Sequence, residues 1–254
     1  MTKKPLKNWA IGIGDILIFK DEVLILKEVE YKDYHKIIHG FSRNKGKISF
    51  LARNARKQKS KNISPLKIFS LVDVVIYKGK GLPILNNSEI INNFYKINDD
   101  YNKYVYACYT AELLNNIVVE EPNEKIFEMV LKLFSLMEKY KNVSNIITGF
   151  ELKLISILGF KPQLSYCVAC HKKKYKNFSI EEGGLICDDC VKGSDYLVKI
   201  NNKDILILKK ILNSKFEVIQ NMEIPINIKK LVRNYLMYHI EKYDFKSIRL
   251  LEDL

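Results

Sequence analysis

Lys47-Ile48-Ser49-Phe50-Leu51-Ala52-Arg53 alternates along its length, with Ile48, Phe50 and Ala52 on one side and Lys47, Ser49, Leu51 and Arg53 on the other. A period of two marks a strand that turns one face into a core. Similar runs lie on both sides of it. Val23 to Leu26 is apolar, and Lys36-Ile37-Ile38-His39 follows a polar turn at Lys32-Asp33. Lys67 to Lys78 is rich in Ile, Val, Phe and Tyr, and Gly40, Gly46, Gly79 and Gly81 punctuate the runs. Four or five short strands between Glu22 and Glu89 predict a small closed or nearly closed β-barrel, with the OB-fold as the leading candidate.

Beyond the barrel the period changes to that of helices. Asp99-Asp100 is placed to cap a helix running towards Glu120, and Pro122-Asn123 breaks it. Glu124 to Tyr140 carries Ile126, Val130, Leu133, Phe134 and Met137 at helical spacing. Ser144 is the expected cap of a third helix, with Gly159 as its C-cap and Pro162 as its stop. Two more helices are predicted, Lys203 to Lys215 and Ile226 to about Tyr243. The fold class is therefore α+β. An OB-fold barrel (22–90) follows an extension of unassigned structure (1–21), and a helical domain (91–162 and 193–254) holds an inserted cysteine module (163–192).

That module has the spacing C-x2-C-x16-C-x2-C, with Cys167, Cys170, Cys187 and Cys190. Phe178 to Ile186 reads as a hairpin that brings the second pair back to the first. Four thiolates close a tetrahedral shell and leave no position for substrate, so the expected metal is one structural Zn²⁺ per chain. A redox C-x-x-C normally opens a helix in a βαβ setting, which is absent here. An iron–sulfur cluster is a further reading of four cysteines. Cys167-Val168-Ala169-Cys170-His171 also satisfies the c-type haem motif, which leaves the second pair unexplained. Cys108, on the first helix, reads as a small hydrophobe.

The chain has 254 residues, with 42 Lys and Arg against 29 Asp and Glu, for a formal net charge of +13. Such a surplus favours polyanions, nucleic acid before membrane. Lys, Asn and Ile are all abundant, so the distribution of charge says more than its total. Between Tyr34 and Val72 there is no Asp or Glu at all. The candidate nucleic-acid contacts lie in that strip: Arg43, Lys45, Lys47, Arg53, Arg56, Lys57, Lys59 and Lys61. Phe41, Tyr31 and Tyr34 are available to stack on bases. No run of about 18 apolar residues predicts a membrane span, and residues 1–20 lack the apolar core of a secretory signal. Paired cysteines without an export signal point to a reducing, cytoplasmic setting.

Gly12-x-Gly14 and Gly79-x-Gly81 are too short for a phosphate loop, and no Walker, HExxH or nucleophile-elbow motif occurs. His239 has no evident Ser or Cys partner. Three readings remain on residues alone: a DNA-binding protein without turnover, a zinc-ribbon RNA-binding protein of translation or transcription, and a nucleic-acid enzyme with structural zinc.

The order of features resembles the RecO family of bacterial recombination mediators. Four stretches carry the likeness. The first is Glu22-Val-Leu-Ile-Leu-Lys27 with Tyr31, Lys36-Ile-Ile38 and Phe41 to Ile48. The second is Ala52-Arg-Asn-Ala-Arg-Lys57 with Ser60. The third runs from Phe150-Glu-Leu-Lys-Leu154 through Leu158-Gly-Phe-Lys-Pro162 to Gly183-Gly-Leu-Ile-Cys-Asp-Asp-Cys190. The fourth is Tyr235 to Ile240 with Lys246 to Leu250. Lys32, Asn54 and His171 stand where the family pattern suggests glycine.

The resemblance implies no enzymatic turnover, binding of single- and double-stranded DNA, and annealing of complementary strands. It also implies action with RecR to load RecA onto strands coated by single-stranded-DNA-binding protein. The acidic tail of that protein is then expected near Lys199, Lys209, Lys210, Lys229, Lys230 and Arg233.

Overall fold

The computed structural model describes residues 10–13, 16–57, 65–191, 193, 196–242 and 245–251. The backbone forms two units, residues 1–128 with 246–254, and residues 129–245.

The first unit is built on a six-stranded sheet: β1 (Ala10–Ile13), β2 (Ile16–Tyr31), β3 (His35–Ser42), β4 (Gly46–Ala52), β5 (Leu71–Lys78) and β6 (Ile84–Asn92). Their order is β1-β2-β3-β4-β6-β5, and a further β2–β5 pairing closes the last five strands into a barrel. All neighbours are antiparallel except β4 and β6, which pair in parallel at Leu51 and Ile84. This is the OB-type arrangement that the alternation at Lys47–Arg53 predicts.

β2 makes the closure possible. Its first half pairs with β5 and its second half with β3, while Val23 and Leu24 pair with both. An irregularity between Ile25 and Lys27 bends it there, as bulges do. Phe19, Val23, Ile25, Ile38, Phe50, Ala52, Val72, Val74, Ile76 and Leu85 fill the interior, with Ile48 packed against them. β1 and the first residues of β2 give part of the 1–21 segment a strand structure, and β6 adds a strand that its Asn87-Ser88-Glu89 stretch hides from a hydrophobicity reading.

A helix, α1 (Tyr101–Ile117), lies against β2 and β3, and Asp100 caps it by accepting a hydrogen bond from the Lys103 N–H. Phe127, in the first turns of α2 (Glu124–Lys139), meets Phe41 edge-on at 5.3 Å. Phe41 is wholly buried, which removes it from the candidate base-stacking rings. The side chain of Glu112 on α1 accepts from the N–H groups of Lys246 and Ser247, the opening of α7 (Lys246–Leu251).

In the second unit, α3 (Ser144–Ile157) packs against α4 (Asn202–Asn213), α5 (Phe216–Ile219) and α6 (Ile226–His239). Ser144 is the first helical residue of α3 and not its cap, because Asn142 Oδ1 takes the Ser144 N–H. Leu158, one residue before the expected Gly159, is the C-cap of that helix, and Gly159 follows it at φ +101°. A three-stranded sheet ordered β8-β7-β9 holds β7 (Asn177–Ser179), β8 (Gly184–Ile186) and β9 (Leu197–Lys199). Among the described residues no helix is long and apolar enough to cross a membrane.

The turn from β3 to β4 is closely packed. Asp21 is 1% exposed. Its carboxylate accepts from Ser42 Oγ, from Asn44 Nδ2 at 2.6 Å and from the Glu22 N–H at 2.8 Å. Ser42 Oγ in turn accepts the Lys45 N–H at 3.0 Å. Gly46 follows at φ +69°, and a Cβ there would sit 2.2 Å from the carbonyl oxygens of Val119 and Glu121. Gly46→Ala combines backbone strain with an overpacked contact, and is expected to cost roughly 3–4 kcal/mol. Gly79→Ala, with open space around it, is expected to stay within about 0.5 kcal/mol. Urea unfolding of the two variants checks both.

Candidate nucleic-acid interface and metal centre

The acid-free strip does not form one uniform surface. At the end of the barrel where β2 turns into β3, the strip's Arg53–Lys57 turn is fastened to the hairpin tip. The Arg56 N–H donates to the Tyr34 carbonyl at 3.0 Å, and the Asn54 N–H donates to His35 Nδ1 at 2.9 Å. Arg56 also reaches the Asp33 carbonyl at 3.3 Å and pairs with Glu30 at 3.1 Å. Arg53 and Lys57 are exposed. Tyr31 and Tyr34 are exposed too, and Lys32 joins the group, a cation that a reading of the strip alone leaves out because it lies before Tyr34.

The other end of the strip is committed to structure. Arg43 Nε donates to Glu22 at 2.8 Å, its Nη1 pairs with Glu128, and its guanidinium lies 4.6 Å above the Phe127 ring. Burial lowers its pKa, and the Glu128 and Glu22 carboxylates outweigh that and leave it raised. Lys47 Nζ donates to the Asn115 carbonyl at 2.6 Å. Lys45 is half-buried, with its Nζ 4.5 Å above the Phe19 ring. Lys59 and Lys61 lie outside the described residues.

In the second unit, Cys167, Cys170, Cys187 and Cys190 converge, with their Sγ atoms all within 4.8 Å of one another. The first pair sits on a tight turn in which the His171 N–H donates to the Cys167 carbonyl and the Cys167 N–H to the Lys172 carbonyl. The second pair sits on a short turn closed by the Cys190 N–H on the Cys187 carbonyl. β7 and β8 bring the pairs together, with Gly183 in the left-handed region between them. Cys167 and Cys187 are buried, and Cys170 and Cys190 are half-buried. Burial pushes the Cys167 thiol up, but the N–H groups of Cys170, Cys187 and Ala169 outweigh it and bring it down to about 6. Hydrogen bonding to the Cys187 and Cys170 sulfurs pushes Cys190 up to about 12. Packed this closely, the four sulfurs do not all ionise by themselves, and the set could hold a metal ion that neutralises them.

α6 carries an aromatic row against this module. Tyr235 meets Phe178 of β7 edge-on at 5.4 Å, and its hydroxyl donates to the Phe160 carbonyl at 3.1 Å. His239 stacks on Phe160 at 4.7 Å, with Nε2 2.9 Å from the Ile180 carbonyl. That histidine joins a helix to a hairpin. Of the cations expected to flank a helical groove, two are turned to structural partners: Arg233 to the buried Glu151, and Lys229 to Ser144 Oγ. Lys199, Lys210 and Lys230 are exposed, and Lys209 is half-buried. Cys108 is half-buried, and burial raises its thiol.

An OB-type barrel followed by a helical unit with a four-cysteine cluster defines a two-part OB-fold protein. The model described as Recombination protein O N terminal matches residues 17–94, and that described as Recombination protein O C terminal matches residues 98–249. The chain belongs to the RecO family. It is 30% identical to the DNA repair protein RecO of Alkaliphilus metalliredigens over 242 residues, covering 92% of this chain and 98% of the relative. It is 30% identical to the DNA repair protein RecO of Clostridium novyi over 246 residues, 95% of each chain. For the DNA repair protein RecO of Acetivibrio thermocellus the identity is 28% over 231 residues, 88% of this chain and 92% of the relative.

His239 gives this half a pH signature. Burial lowers its pKa, and the hydrogen bond to Ile180 opposes that only in part. A histidine depressed in the folded state contributes stability that is present above the unfolded pKa of about 6.5 and is lost as pH falls through the folded value. His239→Gln keeps a donor for the Ile180 carbonyl but does not titrate. Melting temperatures between pH 7.5 and 5 are expected to fall less steeply in the variant than in the parent.

Proposed function

We propose that this chain is a DNA-binding recombination mediator of DNA repair. It grips single- and double-stranded DNA at the barrel (22–90) and anneals complementary single strands. With RecR, it helps load RecA onto strands coated by single-stranded-DNA-binding protein, in the cytoplasm and on the nucleoid. The observation that carries this reading is the gathering of Lys32, Arg53, Arg56 and Lys57 at one end of an OB-type barrel in a chain whose relatives are DNA repair proteins.

The chemistry needs no turnover. Two complementary strands repel through their phosphates, and a surface that neutralises both lowers that cost while the bases search for register. Arg53 and Lys57 are the contacts of choice. Arg56 positions the turn and lends its remaining donors, whereas Arg43 and Lys47 hold the barrel unit together. Lys45 stands with Arg43 and Lys47 at the structural end, and Lys59 and Lys61 complete the proposed surface.

In the second unit the four cysteines are proposed to hold one Zn²⁺. Their all-thiolate set, fixed by two turns and a hairpin, suits a closed tetrahedral site. Cys167, Cys170, Cys187 and Cys190 would hold the metal, which would neutralise their thiolates and link the hairpin to the Cys167 turn. The acidic tail of the single-strand-binding protein is proposed to meet the exposed Lys199, Lys210 and Lys230. Elemental analysis of protein purified without added metal is expected to give about one zinc per chain, whereas a brown iron chromophore would overturn the assignment.

Annealing of complementary oligonucleotides without nucleotide, with and without the single-strand-binding protein, tests the activity. The triple variant Lys32→Glu, Arg53→Glu, Lys57→Glu is expected to weaken binding to all sequences alike. It is also expected to flatten the salt dependence for single strands by roughly 2 units, at about 0.7 per phosphate contact. Zinc content and the unfolding transition are expected to stay as in the parent. A matching reversal of Lys172, Lys173 and Lys174, beside the cysteines, is expected to change binding little. An equal loss there would move the grip to the metal module.

A further inference from the structure

The barrel end holds two features that charge alone does not explain. Tyr31 and Tyr34 flank the β2–β3 turn at 39% and 53% exposed, although a tyrosine gains most by burying its ring. Each ring also carries a lysine ammonium: Lys32 Nζ lies 5.4 Å from the Tyr31 centroid, and Lys57 Nζ lies 5.2 Å from that of Tyr34. The second pair is far apart in sequence. It is set by the hydrogen bond from the Arg56 N–H to the Tyr34 carbonyl, which places the next residue, Lys57, beside the ring. The nearest carboxylate with a cation partner, Glu30, is taken by Arg56, and Asp33 is exposed at the tip of the turn.

From this arrangement, and resting on the DNA-binding reading above, we infer that Tyr31 and Tyr34 are base-stacking platforms that make this end of the barrel selective for unpaired strands. A cation over a ring is a weak contact at an exposed site, and an ammonium exchanges it readily for a phosphate oxygen. When a strand arrives, Lys32 and Lys57 move to phosphates, and the faces they leave receive bases. The lysines thus lie against two exposed rings in the free protein and become phosphate contacts in the complex. A duplex offers the same phosphates but keeps its bases stacked on one another, so it gains nothing from the rings. Every base has a π-face, so the preference is for single-strandedness and not for sequence.

The test compares three probes of equal length: an oligothymidylate, the matching abasic strand and a duplex. Tyr31→Ala and Tyr34→Ala are each expected to lose roughly fivefold or more in affinity for oligothymidylate. Both are expected to bind the abasic strand and the duplex as the parent does. Tyr31→Phe and Tyr34→Phe, which keep the ring, are expected to retain most of the affinity. Tyr101→Ala, at an exposed ring on α1, serves as the control and is expected to bind like the parent. Equal losses on the oligothymidylate and the abasic strand would overturn the inference, as would no loss on either. A parent protein that binds both single strands equally, with its salt dependence intact, would overturn the stacking role and leave the phosphate grip standing. A parent protein that binds none of the probes would overturn both.

Discussion

The barrel unit depends on one strand having two partners. Val23 and Leu24 of β2 pair with β3 along one edge and β5 along the other, so the sheet has to curl back on itself. The bend after Ile25 lets β2 change direction, and the parallel contact of Leu51 with Ile84 completes the ring. Closure satisfies backbone groups that an open sheet would leave exposed as sticky edges. It also imposes a topology. Parallel neighbours need a crossover between them, and here the chain from Arg53 to Pro83, including β5, is that crossover. The Arg53–Lys57 turn stands where it does because β4 has to leave the barrel there before the chain returns.

Much of this was legible in the residues. The two-residue period of Lys47–Arg53 survives in the structure, with Phe50 and Ala52 wholly buried and Lys47 facing the other way. The spacing of four cysteines, with two glycines shortly before the second pair, was enough to foresee a hairpin that gathers the thiols, because each pair can turn only within a few residues. Ile126, Val130, Leu133, Phe134 and Met137 are all buried on α2.

What the residues concealed has physical causes. β6 carries Asn86, Asn87 and Glu89 on its exposed positions, so its strand character comes from pairing with β5 and not from side-chain period. Phe41 and Arg43 lie within the basic strip, yet α2 places Phe127 and Glu128 against them, which buries the ring and pairs the guanidinium. Long-range partners of this kind leave no local trace. Lys32, Asn54 and His171, where glycine fits the family pattern, all adopt positive φ, at 51°, 56° and 60°. The turns keep the left-handed geometry and accept a modest strain in place of the glycine. The chain's helices after Lys203 also divide more finely than their periodicity suggests, since Ser214 and Ile240 end α4 and α6 and leave room for α5 and α7.

The contact between Glu112 and the opening of α7 joins residues 134 and 135 positions apart. During synthesis the strands of the barrel leave the ribosome together and early, while the helix that completes the same unit is made only after the entire cysteine module. The carboxylate of Glu112 is therefore made 134 residues ahead of the first N–H group it accepts from. Birth order and final architecture run in different sequences here: the unit that is begun first is among the last to be finished.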